Sequence, residues 1–113
     1  MRALLVSTLV VMMFAQAAAA MTGNELKNWM NEAEAFKEGR PGASGYKAGR
    51  YDGYVMGVAN TFNGSAWCSR SGVTIGQMLD VVSKYLRDTP EKLDEDASVL
   101  ILDALGKAFP CKR

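Results

Sequence analysis

The sequence predicts an all-α fold: a small four-helix bundle with one disulfide, behind a cleaved N-terminal signal peptide. Three observations predict it. Apolar residues recur at helical spacing in four stretches separated by glycine, proline and asparagine. Capping signatures, Thr22-x-x-Glu25 and Thr74-x-x-Gln77, stand before two of those stretches. No period-two run of β-branched residues bounded by turns occurs.

Residues 1–20 have the make-up of a secretory signal. Arg2 gives the positive start, and Ala3 to Phe14 is an apolar run broken only by Ser7 and Thr8. Ala18-Ala19-Ala20 supplies the small residues a signal peptidase accepts. The run is short for a transmembrane span, and no cysteine follows it to carry a lipid. The expected division is therefore a signal at 1–20 and one helical domain at 21–113, about 93 residues long. No second membrane-length segment follows, so no membrane attachment is expected after cleavage.

The first helix is expected after Thr22, with Leu26, Trp29, Met30, Ala33 and Phe36 on its buried side. Gly39, Arg40 and Pro41 stop it. The second runs from Gly45 to Phe62, with Ser44 as cap. Its stripe is Tyr51, Tyr54, Val55, Val58 and Phe62. Glycines at 45, 49, 53 and 57 line another side. Each costs a helix about 0.5–1 kcal/mol against alanine. Close backbone approach to another helix at Gly49, Gly53 and Gly57 would offset that loss. A groove left unfilled there would suit a second copy of the chain, giving a homodimer. The competing reading is that these glycines only fray the helix or mark a loop.

Asn63-Gly64-Ser65 ends the second helix in a tight turn. A loop from Ala66 to Gly72 follows. The third helix starts after Thr74 and buries Ile75, Met78, Leu79, Val82, Tyr85 and Leu86. The fourth is expected from Pro90, a residue suited to a first helical turn. Glu91, Asp94, Glu95 and Asp96 would then sit where the helix dipole favours negative charge. Its buried side is Leu93, Ala97, Leu100, Ile101, Ala104, Leu105 and Ala108, and Pro110 ends it.

Charge and chemistry narrow the function. The chain has 13 basic and 12 acidic residues, a formal charge of +1, which falls to zero without Arg2. A nucleic-acid partner, which calls for a basic stripe, is not expected. There are two cysteines, Cys68 and Cys111, and an exported chain with one pair is expected to join them. The bridge would close about 43 residues and contribute about 4 kcal/mol. A redox or catalytic cysteine is the rival reading. It lacks a Cys-x-x-Cys spacing and any histidine in the chain. The same lack of histidine removes histidine-based triads and histidine metal sites. Asp94-Glu95-Asp96 could hold a hard cation, but a solvated helix start explains it better. No cofactor, metal or catalytic residue is expected, and a binding module is favoured over an enzyme.

The loop after the second helix is the first candidate contact. Trp67 and Arg70 are residue types common at binding hot spots, and the disulfide would stiffen the loop. Trp67 packing over the disulfide or the core is the alternative. The acidic run Glu91–Asp96 is a second candidate, for a basic partner surface.

An ordered set of residues runs from Gly53 to Cys111: Gly53-Tyr54-Val55-x-Gly57-Val58, Cys68, Gly72-Val73-Thr74 and Gln77. It continues with Val81-Val82-x-Lys84-Tyr85-Leu86, Pro90-Glu91-x-Leu93, Ala97, Leu100 and Ala104-Leu105-x-x-Ala108-Phe109-Pro110-Cys111. In this set the chain resembles the Rap/Tai family of bacterial immunity proteins. It departs at Asn60, where members often carry aspartate, and at Arg70, where proline is common. The resemblance implies a small exported helical protein. It implies binding in the periplasm to a peptidoglycan amidase toxin delivered by type VI secretion, with the toxin's active site blocked. It also implies that some members pair as homodimers. A periplasmic stress chaperone, or an envelope-associated helical domain with no enzyme target, is the alternative reading.

Overall fold

The computed structural model describes residues 20–112. The expected signal segment lies outside them, Ala20 excepted. The described chain forms four α-helices: α1 (Gly23–Lys37), α2 (Gly45–Phe62), α3 (Ile75–Asp88) and α4 (Ala97–Ala108). A short 3₁₀ turn, Pro90–Lys92, precedes α4. There is no strand among the described residues, only two isolated bridges, Thr22 with Asp96 and Asn63 with Trp67. α1 packs mainly on α2, and α3 mainly on α4.

The first three helix starts are capped as the sequence suggests. Thr22 and Glu25 make both bonds of a capping box. The Ser44 hydroxyl accepts from the Lys47 N–H, and Thr74 from the Gln77 N–H. These side chains satisfy N–H groups that have no partner in a helical first turn.

The fourth helix departs from expectation. It begins at Ala97, not Pro90. The reason lies at the other end of the chain. The first N–H groups of α1 need acceptors, and residues 93–95 supply them. The Gly23 N–H donates to the Glu95 carbonyl at 2.9 Å and the Asn24 N–H to the Leu93 carbonyl at 2.8 Å. The Ala97 N–H donates in turn to the Met21 carbonyl. A helix through 93–96 would commit those carbonyls to its own amides four residues on, so the segment stays a turn. Gly23 allows this approach, because a Cβ there would stand 3.0 Å from the Leu93 backbone.

The core is built mainly of large residues, with alanines from three helices between them. α2 buries Ala48, Tyr51, Val55 and Ala59; α1 buries Leu26, Met30 and Ala33. α3 gives Met78, Leu79, Val82 and Leu86, and α4 gives Ala97, Leu100, Ile101, Ala104 and Leu105. Phe36, Phe62, Ile75 and Ala108, expected inside, lie exposed. The Tyr51 hydroxyl crosses the core to Ser83, with the two oxygens 2.6 Å apart.

The expected packing at Gly49, Gly53 and Gly57 is not found. A Cβ at any of the three would meet nothing within 4 Å. Ala48 and Ala59, on the opposite side of α2, are the small residues of that helix that lie buried. The glycines leave a bare strip of helix facing outward.

Candidate effector-binding surface

Cys68 and Cys111 are joined, with Cα atoms 4.8 Å apart. The bridge ties the loop after α2 to the tail after α4. Backbone bonds reinforce it: the Cys68 N–H donates to the Phe109 carbonyl and the Gly64 N–H to the Trp67 carbonyl. Asn63 holds Ser69 through its side chain, accepting from the Ser69 N–H at 3.0 Å. Gly106 lets the loop lie directly on α4, since a Cβ there would stand 2.9 Å from the Ala66 carbonyl oxygen.

Trp67 is not a contact residue. It is 1% exposed, and its indole N–H donates to the Ala59 carbonyl at 2.8 Å. Its ring packs against Phe109. Of the two readings of Trp67, the packing one holds: the tryptophan pins the loop from inside and offers no surface. Arg70 does reach the surface. It begins a turn closed by the Val73 N–H and Arg70 carbonyl, with Gly72 at φ 90° in the position that requires it. The Arg70 guanidinium lies 5.3 Å above the Phe109 ring. The loop thus presents Ser69, Arg70, Ser71 and Gly72 on a base fixed at both ends.

Glu91, Asp94, Glu95 and Asp96 are all exposed, in the turn before α4 rather than within its first turns. Among the described residues no three His, Cys, Asp or Glu side chains gather as metal ligands would. No helix among them is long and apolar enough to cross a membrane.

A second surface feature lies toward the other end of α2. A groove of about 580 Å³ between α1 and α2 is lined by Met21, Asn24, Glu25, Asn28, Trp29, Lys47 and Arg50. The Arg50 guanidinium sits 4.2 Å above the Trp29 ring and donates to the Tyr46 hydroxyl at 3.0 Å. Tyr46 is 72% exposed. Tyr54 meets Trp29 edge-on, and burial raises its phenol pKa, with the Asp96 charge adding to the shift. Sequence reasoning missed this cluster because it assigned Trp29 to the core. The signal available was Tyr46 and Arg50 at i, i+4 on one helix.

In a comparison with curated proteins, none matches the chain. The family described as Rap1a immunity proteins matches residues 22–111. That span runs from the Thr22 cap through all four helices to the second disulfide cysteine. The chain therefore belongs to the Rap1a immunity protein family.

Proposed function

We propose that this protein acts in the periplasm, where it binds and inhibits a peptidoglycan amidase delivered by the type VI secretion system of neighbouring cells. The family match over residues 22–111 carries this reading. The signal-like residues 1–20 and the disulfide suit an oxidising, exported location. The mode of action is occlusion rather than chemistry. A turn fixed at both ends loses little ordering entropy when it enters a cleft, and Arg70 at its start can pair with acidic groups there.

The test is co-expression with a candidate amidase effector directed to the periplasm. Cells carrying both proteins survive and those with the effector alone lyse. Equal lysis in both cultures across the effectors found beside this gene would rule the reading out. We also read the bare strip at Gly49, Gly53 and Gly57 as a surface where two copies pair, since no described residue covers it. Sedimentation at micromolar concentration that finds only monomer removes that part.

A further inference from the structure

We propose that the groove at Trp29, Lys47 and Arg50 is a carboxylate-receiving site that grips an aspartate, glutamate or C-terminal carboxylate of the effector. It rests on the immunity reading for the identity of the partner, though not for the chemistry of the site. Arg50 is held in place before any partner arrives. Its guanidinium is stacked 4.2 Å from the Trp29 ring centre and 5.6 Å from that of Tyr46. Tyr46 accepts one of its N–H bonds at 3.0 Å, and the guanidinium has four more to give.

The charge of the groove has no answer among the described residues. Among the described residues, ion pairs join Arg40 to Glu38, Lys84 to Asp88 and Arg87 to Glu34. Neither Arg50 nor Lys47 takes part in one. The acid that lines the groove, Glu25, already accepts from the Thr22 N–H at 3.2 Å as part of the α1 cap. Two cations against one engaged carboxylate leave a positive site. A planar guanidinium fixed on an aromatic face matches a planar carboxylate, which takes two parallel N–H bonds. Asn24 and Asn28 on the α1 wall add amide donors within the same groove.

The openness of the place favours a protein over a small molecule. Tyr46 stands proud of the surface and Arg50 is exposed, so a ligand is met at the rim rather than enclosed. Tryptophan, tyrosine and arginine are the side chains that dominate protein interfaces. The site is well separated from Arg70. Arg50 and Phe62 stand twelve residues apart on α2, about 18 Å along its axis, and the loop begins beyond Phe62.

The test has two arms. In the first, the protein is titrated with N-acetylglutamate amide, with its glutamine counterpart and with inorganic phosphate, while the Trp29 indole and Arg50 guanidinium nitrogens are followed by NMR. Saturable shifts are expected with the glutamate probe alone, abolished in Arg50→Ala and weakened several-fold in Arg50→Lys. Equal shifts with the glutamine probe, tighter binding of phosphate, or unchanged binding in Arg50→Ala would overturn the site. In the second arm, Arg50→Ala with Lys47→Ala is measured against an effector that the wild-type protein neutralises. At least a tenfold rise in Kd is expected, with thermal unfolding unchanged. Unchanged Kd removes the inference and leaves the immunity reading standing. Wild-type protein that protects against no effector, yet still binds the glutamate probe, removes the immunity reading and supports the site.

Discussion

The Trp67 indole N–H donates to the Ala59 carbonyl in the last turn of α2, 2.8 Å away. Helix-end carbonyls lack partners within their own helix, so this bond meets a need on both sides. It also sets the direction in which the loop leaves. Replacing Trp67 with phenylalanine is expected to cost about 2 kcal/mol, through the lost bond and the volume left behind. Urea unfolding would show a lower midpoint. Effector affinity per folded molecule should be unchanged, because the indole is inside.

Arg70→Ala should behave in the opposite way. The side chain is exposed and its contact with Phe109 contributes only about 0.5 kcal/mol. The variant should unfold at nearly the wild-type midpoint yet bind the effector measurably less tightly. Calorimetric titration against the neutralised effector checks it. A variant with full affinity would remove Arg70 from the contact.

Glycines at two kinds of position should respond with opposite sign. Gly53→Ala meets nothing among the described residues of its own chain, so in the monomer it should stabilise the fold by about 0.5–1 kcal/mol through helix propensity, while weakening any pairing of two copies through the strip. Gly106→Ala pushes a methyl group to 2.9 Å from the Ala66 carbonyl. It should cost about 1–3 kcal/mol, since backbone rather than a flexible side chain must give way. Paired thermal melts would read both signs. A destabilised Gly53→Ala would mean that something covers the strip.

Alkaline pH should weaken the fold through Tyr51. Burial pushes its phenol from 10.0 up to about 12, only partly countered by the bond with Ser83. The folded-state pKa lies above the unfolded one. This contribution is therefore complete below pH 10 and is lost as pH rises toward 12, where the unfolded chain sheds the proton first. Tyr51→Phe should flatten that decline, at a cost of about 1 kcal/mol near neutrality. Unfolding midpoints across pH, with tyrosinate absorbance alongside, test the slope.

Removing the bridge by Cys68→Ala with Cys111→Ala should cost about 4 kcal/mol, most of it from the freed unfolded chain. The same loss should follow reduction of the native protein, read by urea unfolding with and without reductant.

Local signals made most of the fold legible. The Thr22, Ser44 and Thr74 caps fix three helix starts with bonds only three residues long, and α2 and α3 run where spacing and caps place them. The start of α4 was not legible. Pro90 and the acids after it favour a helix, but residues 93–95 are claimed by the first turn of α1, a pairing that no window of sequence reveals. The glycine strip misled for a related reason. Spacing shows which residues share a side of a helix, not which side the rest of the chain will cover. Arg70 could be named because a charged side chain in the loop between two helices tends to reach solvent whatever path the loop takes. Trp67 could not be told from a hot spot, since the same side chain serves either role until its surroundings are known.

The mutual hold between the beginning of α1 and the turn before α4 has a consequence for biogenesis. Chains are made and threaded from the amino end, and here the opening helix finds acceptors for its leading amides only when nearly everything else has emerged. The opening helix therefore completes its hydrogen bonds late, and the covalent closure waits for Cys111, which follows all four helices. If the chain is exported as proposed, such an order would keep the polypeptide pliable through its passage.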